Sequence, residues 1–284
     1  MNTMKSIITL LAAKLLGTKG VAPATSLPPK GWLDDEEDAL VPPRRFWQNP
    51  SESVSHYYRW VWEYLAYLTL LCGLERESDV LELGCSHGRT AHGLTQYLRH
   101  GGSYHGIDIV REQIDEANAR ILPGRPVFTF LHADIYNRHY NPSGQERAES
   151  YRFPFESRAF DVVYAASVFT HLLPAETENY LRETRRVLRP GGRALFSFIL
   201  LDHYRGSGTT TSPRYELEFT LPDEPDVRVR DPKYPDDLIA YSIASLERMT
   251  AAADLVIVRI LKGLWSGSPG LAVNEQDLVL LAPR

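Results

Sequence analysis

Apolar residues recur along this chain in two rhythms. From Val54 the positions Val61, Leu65, Leu68 and Cys72 fall at helical spacing, with Ser51 as a candidate cap and Gly73 ending the run. From residue 79 onward, short apolar runs alternate with amphipathic stretches. The runs at 79–83, 104–109, 127–132, 161–165, 194–200, 255–261 and 277–281 read as strands. The stretches at 88–100, 111–121, 175–189 and 237–253 read as helices, with Gly101-Gly102 and Pro190-Gly191-Gly192 as stops. The central strands are nearly continuous apolar runs, which suits burial on both faces. Strands alternating with helices imply parallel pairing through right-handed crossovers. The expected class is α/β, a mostly parallel seven-stranded sheet with helices on both faces.

Two insertions break the alternation. Residues 135–157 separate the third and fourth strands, and residues 202–236 follow the fifth. The second holds the alternating stretches YELEFTL and VRVR, which predict a small antiparallel hairpin. Both insertions leave the carboxyl ends of strands, where open α/β sheets carry function, so both are expected to wall or cover a substrate site. The organisation expected is an N-terminal helix and Pro/acid-rich linker over 1–50, then one domain over 51–284 with 202–236 as its lid.

Composition narrows the classes. With 284 residues, 43% hydrophobic and 24% charged, the chain suits one globular domain plus extensions. A net charge of -5 disfavours bulk affinity for nucleic acid. The two cysteines, Cys72 and Cys85, build neither a disulfide framework nor a Cys-rich zinc site, and fit a cytoplasmic setting. Residues 4–16 (MKSIITLLAAKLL) read as an amphipathic helix rather than a secretory signal, because Lys14 interrupts the apolar run. That helix either docks on the domain or makes weak contact with a membrane surface. No later segment has the roughly 20 apolar residues of a membrane span. A homo-oligomer is left open.

Candidate chemistry sits at the first strand-turn-helix, Val80-Leu-Glu82-Leu-Gly84-Cys-Ser86-His-Gly88. A dinucleotide fingerprint would need glycine at 84, 86 and 89. Ser86 and Arg89 fail it, which argues against an oxidoreductase. The second strand ends in Asp108, placed to accept two hydrogen bonds from vicinal hydroxyls. The third ends His132-Ala-Asp134-Ile135. Then follow Phe160-Asp161-Val-Val-Tyr-Ala165, a helix, and Leu188-Arg-Pro190-Gly-Gly192.

These four landmarks in order resemble the class I S-adenosylmethionine (SAM)-dependent methyltransferases, closely over residues 75–200. The first segment is similar to that family's acid-x-Gly-x-Gly-x-Gly motif, with Ser86 at the middle glycine. The resemblance implies a Rossmann-like fold with an antiparallel last strand and SAM as cofactor. It implies that Glu82 and the turn Gly84, Cys85, Ser86, His87 and Gly88 hold the methionine end. Asp108 would hold the ribose, Ile109 would line the adenine, and Asp134 would accept from its amino group. Ile135 and Ala165 complete the implied cofactor set. The tail around Trp265 and Gln276-Asp277 is similar to bacterial small-molecule and sugar methyltransferases.

The acceptor is read from what is missing and from the loops. An Asn/Asp-Pro-Pro-aromatic motif after the fourth strand, which marks amino-methylating DNA enzymes, is absent. Metal-dependent relatives carry carboxylates there, where this chain has Ala166 and Ser167, so no metal is expected. Tyr204, Tyr215, Phe219, Arg205, Arg214, Arg228 and Arg230 in the second insertion suit a polar ring or an anionic natural product, although solvated surface charge is the plain alternative. The expected function is O-methylation of a small molecule, with N-methylation, nucleic-acid methylation or a non-catalytic SAM-binding module as alternatives. Transfer needs alignment of nucleophile and methyl, and a neutral hydroxyl gains from a general base. His171, after the fourth strand, is the first candidate base, followed by His203 and Tyr204 after the fifth.

Overall fold

A computed structural model describes residues 38–47, 52–99, 101–206 and 208–284. The helix expected at 4–16, most of the Pro/acid-rich linker and Ser51 lie outside the described residues. The first long helix is α1 (Val54–Cys72), capped by Ser53, whose Oγ accepts from His56 N at 3.1 Å. It ends at Gly73 in the left-handed conformation, as the sequence predicts. The alternating region then runs β1 (Asp79–Leu83), α2 (Arg89–Tyr97), β2 (Ser103–Asp108), α3 (Arg111–Ile121), β3 (Phe128–His132), β4 (Phe160–Ala165), α4 (Pro174–Val187) and β5 (Leu188–Phe198). The chain continues through β6 (Phe219–Leu221), β7 (Glu224–Val229), β8 (Ile239–Tyr241), α5 (Ile243–Ala252), β9 (Leu255–Leu261) and β10 (Asp277–Pro283).

Seven strands form the central sheet in the order β3-β2-β1-β4-β5-β10-β9. The first five pair in parallel, and β10 runs antiparallel to both β5 and β9. The order reverses at β1, so the crevice at the carboxyl ends of β1, β2 and β4 is the natural ligand position. Strand alternation sends side chains to two layers. Val80, Tyr104, Phe130 and Tyr164 meet α1, α2 and α3 on one face, while Leu81, Ile107, Val163 and Phe196 meet α4 and α5 on the other.

Three expected bounds are corrected. Strand β5 begins at Leu188, opposite Phe160, rather than after Gly192. The helix expected over 237–253 begins only at Ile243, where Ser242 Oγ caps it by accepting from Ser245 N at 3.0 Å. Its expected first turn is instead β8, which pairs with β7 in a second sheet of order β6-β7-β8. The hairpin expected in this insertion is β6 with β7, starting at Phe219 rather than Tyr215. The small sheet is fastened to the main one through Ile239 N to Thr170 O (2.9 Å) and Tyr241 N to Ile199 O (3.0 Å).

Candidate functional site

After β1 the chain turns sharply above the sheet. Gly84 N and Cys85 N both donate to Ile107 O, at 2.8 and 3.1 Å. Gly84 has φ +72°, and a Cβ there would lie 2.4 Å from Val168 Cγ2, so glycine is required by both conformation and space. Ser86 takes φ 50°, the left-handed conformation that glycine adopts most easily. Its N–H donates to Asp108 Oδ2 at 2.7 Å, and Val110 N donates to Asp108 Oδ1 at 2.9 Å. Each carboxylate oxygen keeps a further lone pair for a ligand hydroxyl. Burial raises the Asp108 carboxyl above its ordinary range, while these backbone hydrogen bonds oppose the shift.

Asp108 opens onto a cavity of about 460 Å³, within the size of small-molecule and cofactor sites. Its walls bring together Gly84, Ser86, Asp108, Ile109, Ile135 and His171 of the sequence-derived set. The apolar side chains of Ile109, Ala133 and Ile135 offer flat-ring contact beside Asp108. The first insertion supplies Tyr136, Tyr140 and Glu149 to the wall, and the second supplies Pro235 and Asp236. Close approach at Gly84, spare acceptors on Asp108 and an apolar slot fit a nucleoside.

His171 is set by a tight turn, His171 N to Val168 O at 2.9 Å, and by Phe169 stacking on Phe196 with ring centroids 4.4 Å apart. Its Nδ1 lies 3.1 Å from Asp236 O. A carbonyl only accepts, so Nδ1 carries the proton and Nε2 keeps a lone pair. Burial holds the imidazole below its ordinary pKa, that is, neutral at neutral pH.

Other expected site residues are not brought to the cavity wall. Glu82 shares strand parity with Val80, so its carboxylate enters the α1–α3 face. There Oε2 accepts from Tyr104 OH at 2.5 Å and Tyr164 OH at 2.6 Å, and burial pushes its pKa up to about 8. Cys85 is buried with its thiol against Gly106. His87 is buried facing the Tyr57 ring at 6.4 Å, and burial lowers its pKa to about 3. Gly88 packs on Ile121 and Phe130, and Ala165 is core. Asp134 turns back on the first insertion. Its Oδ1 accepts from Asn141 Nδ2 at 3.3 Å, and its carbonyl accepts from Gln145 N and Glu146 N, both at 2.9 Å.

The two candidates after β5 are engaged elsewhere. His203 Nδ1 pairs with Asp277 Oδ1 at 2.8 Å, and Tyr204 stacks on Trp265 with centroids 6.1 Å apart. Sequence reasoning missed Gln113, Ser167 and Glu176 on the wall. Gln113 meets Ser86 Oγ at 3.3 Å, and Ser167 takes φ 60° while accepting from Gln276 Nε2 at 2.9 Å. Only the position of Gln113, in the first helical turn after Asp108, could have marked it beforehand. Among the described residues no group of three or more His, Cys, Asp or Glu is arranged to hold a metal ion. Nor is any described helix long and apolar enough to cross a membrane.

The family described as "Methyltransferase domain" matches residues 81–194, the stretch that builds the turn, Asp108 and the His171 loop. Residues 81–194 therefore form a methyltransferase domain. A phthiotriol/phenolphthiotriol dimycocerosates methyltransferase of Mycobacterium ulcerans is 36% identical over 42% of this chain and 36% of its own length. An arsenite methyltransferase of Aquipseudomonas alcaligenes is 32% identical over 44% of this chain and 33% of its own. The chain thus spans about a third of the length of these curated relatives. In fold it is similar to a SAM-dependent methyltransferase of Clostridium acetobutylicum, at TM-score 0.51 and 14% identity, covering 80% of this chain and 92% of that one. In this methyltransferase domain, Asp108 and the Gly84 turn lie on the cavity wall.

Proposed function

We propose that the chain transfers the methyl group of SAM to a hydroxyl of a small molecule, a sugar or a natural product. SAM supplies a methyl group on a positively charged sulfur, already a good leaving group. The protein's task is then positioning, exclusion of water and removal of the acceptor's proton. The observation that carries the hydroxyl reading is His171, a neutral imidazole on the cavity wall whose Nδ1 proton is held by Asp236 O, leaving Nε2 as the proton acceptor. A neutral hydroxyl needs such a base more than an amine does. Tyr136, Tyr140, Glu149 and Asp236 on the same wall offer the ring faces and polar groups that recognise a hydroxylated ring. Supporting a small acceptor over nucleic acid are the net charge of -5 and relatives named for dimycocerosates and arsenite.

The test is incubation with ¹³C-methyl SAM and a panel of sugars, hydroxylated polyketides and amines, followed by NMR of the product. The expected result is an oxygen-bound methyl group. A nitrogen-bound methyl on the amines alone overturns the hydroxyl assignment, and label in added RNA or DNA overturns the small-molecule one.

A further inference from the structure

The two insertions meet at the rim of the cavity. In the first, Asn137 N donates to Asn141 O at 3.0 Å, and Asn141 N returns a bond to Asn137 O at 2.9 Å. The Asn137 side-chain oxygen accepts from His139 N and Tyr140 N, both at 3.0 Å. Asparagine closes turns on itself in this way, and here it folds residues 137–141 into a tight loop. That loop carries Arg138 and Tyr140, both on the cavity wall. Tyr140 meets the His171 ring nearly edge-on, at 78° and 6.1 Å between centroids.

Arg138 crosses to the second insertion. Its Nη1 donates to Lys233 O at 3.1 Å, and its guanidinium carbon lies 4.7 Å from the Tyr234 ring centroid. His139 meets the same ring from the side, at 6.2 Å. Tyr234 opens the short turn Pro235–Asp237, in which Asp237 N donates to Tyr234 O at 3.0 Å. This turn holds Asp236, whose carbonyl accepts from His171 Nδ1. Just beyond it, Ile239 N donates to Thr170 O at 2.9 Å, next to His171. The turn is thus fastened downstream by the loop after β4 and upstream by Arg138 of the first insertion.

A neutral imidazole can carry its proton on either ring nitrogen, and the hydrogen bond made by one nitrogen decides the state of the other. For His171 that decision lies with a carbonyl 65 residues away, whose place depends on the turn after Tyr234. Resting on the assignment of His171 as base, we infer that Arg138 and Tyr234 form a strap between the two insertions that positions Asp236 O, so that His171 keeps its proton on Nδ1 and its lone pair on Nε2. Both act through His171, as positioning residues. The strap is made of surface contacts, with Tyr234 44% exposed, so cutting it leaves the core intact.

The experiment is NMR of the full chain labelled with ¹⁵N-histidine, slightly above neutral pH, reading the long-range couplings that show which ring nitrogen is protonated. The His171 signal is identified by its loss in His171→Gln. In the wild type it should show the proton on Nδ1 alone. Arg138→Gln and Tyr234→Ala should each shift His171 to a mixture of both tautomers, while the buried His87 and His92 keep their signals and report the fold intact. Tyr234→Phe keeps the ring beside the guanidinium and should retain the wild-type form. A single unchanged tautomer in both Arg138→Gln and Tyr234→Ala overturns the strap, as does a wild-type His171 protonated on Nε2. Failure of the base assignment reads differently. Full turnover of His171→Ala, on the hydroxyl compound that takes the ¹³C-methyl label, removes the base while the tautomer shifts still uphold the strap.

Discussion

Ser86 and Asp108 are joined across two strands: the backbone N–H of Ser86, in the turn after β1, donates to Asp108 Oδ2 at 2.7 Å at the end of β2. The turn and the Asp108 carboxylate are therefore one unit, and neither can be placed without the other. Asp108→Ala should remove both ligand acceptors and leave Ser86 N and Val110 N without their partner. S-adenosylhomocysteine affinity is expected to fall more than about a hundredfold, as for two lost charge-assisted hydrogen bonds. Circular dichroism should show the fold retained. Unchanged calorimetric affinity would remove Asp108 from the site.

His171→Ala should lower turnover far more than cofactor affinity, because in the proposed role Nε2 takes the acceptor's proton and does not hold the nucleoside. The pH profile has a defined sign. Burial lowers the imidazole pKa below the ordinary value of about 6.5, so the base stays neutral as pH falls through that value. Wild-type kcat/KM should hold level down to about pH 6.5 and drop only in more acid solution. A drop already centred above neutrality would assign the base to another group.

Glu82 links the core to pH. Its carboxyl keeps a proton up to about pH 8 in the fold, but releases it near the ordinary value of about 4.5 when unfolded. Between those values the native state binds the extra proton, so stability falls as pH rises, by roughly 1.4 kcal/mol per unit at most. Glu82→Gln abolishes this term. Urea denaturation of the variant and wild type from about pH 5 to 8 should show the variant gaining relative stability as pH rises. Parallel curves would show that Glu82 titrates normally.

Gly84→Ala meets two obstacles, the positive φ and the Val168 methyl 2.4 Å from its new Cβ. The expected loss is about 1–3 kcal/mol of stability, with weaker S-adenosylhomocysteine binding. Adding Val168→Ala should restore the part due to the clash and leave the part due to φ, as read by the denaturation midpoint. Full restoration would show that conformation costs nothing there.

Much of the central sheet was legible because its signals are local. Asp79–Leu83, Ser103–Asp108 and Phe128–His132 are apolar runs bounded by turns, and Arg111–Ile121 is amphipathic at helical spacing. The second small sheet was less legible. Ile239–Tyr241 continues the helical pattern of its neighbours and becomes a strand through pairing with Val227–Val229, ten and more residues away. Glu82 was misplaced for a different reason. An acid beside the Gly84 turn suggests a ligand, but strand parity with Val80 directs it to Tyr104 and Tyr164. That parity was readable; its two tyrosine partners, each on another strand, were not.

By itself the sequence determined the alternation of strands and helices, the glycine-dependent turn at 84 and the acid at 108, because periodicity, backbone freedom and strand ends are properties of neighbouring residues. Tertiary structure alone decided which side chains share a space. It put Asp236 against His171, Gln276 against Ser167 and Glu52 against Arg89, residues 65, 109 and 37 positions apart. Contacts of that range depend on how whole layers pack on the sheet, and no local pattern records them.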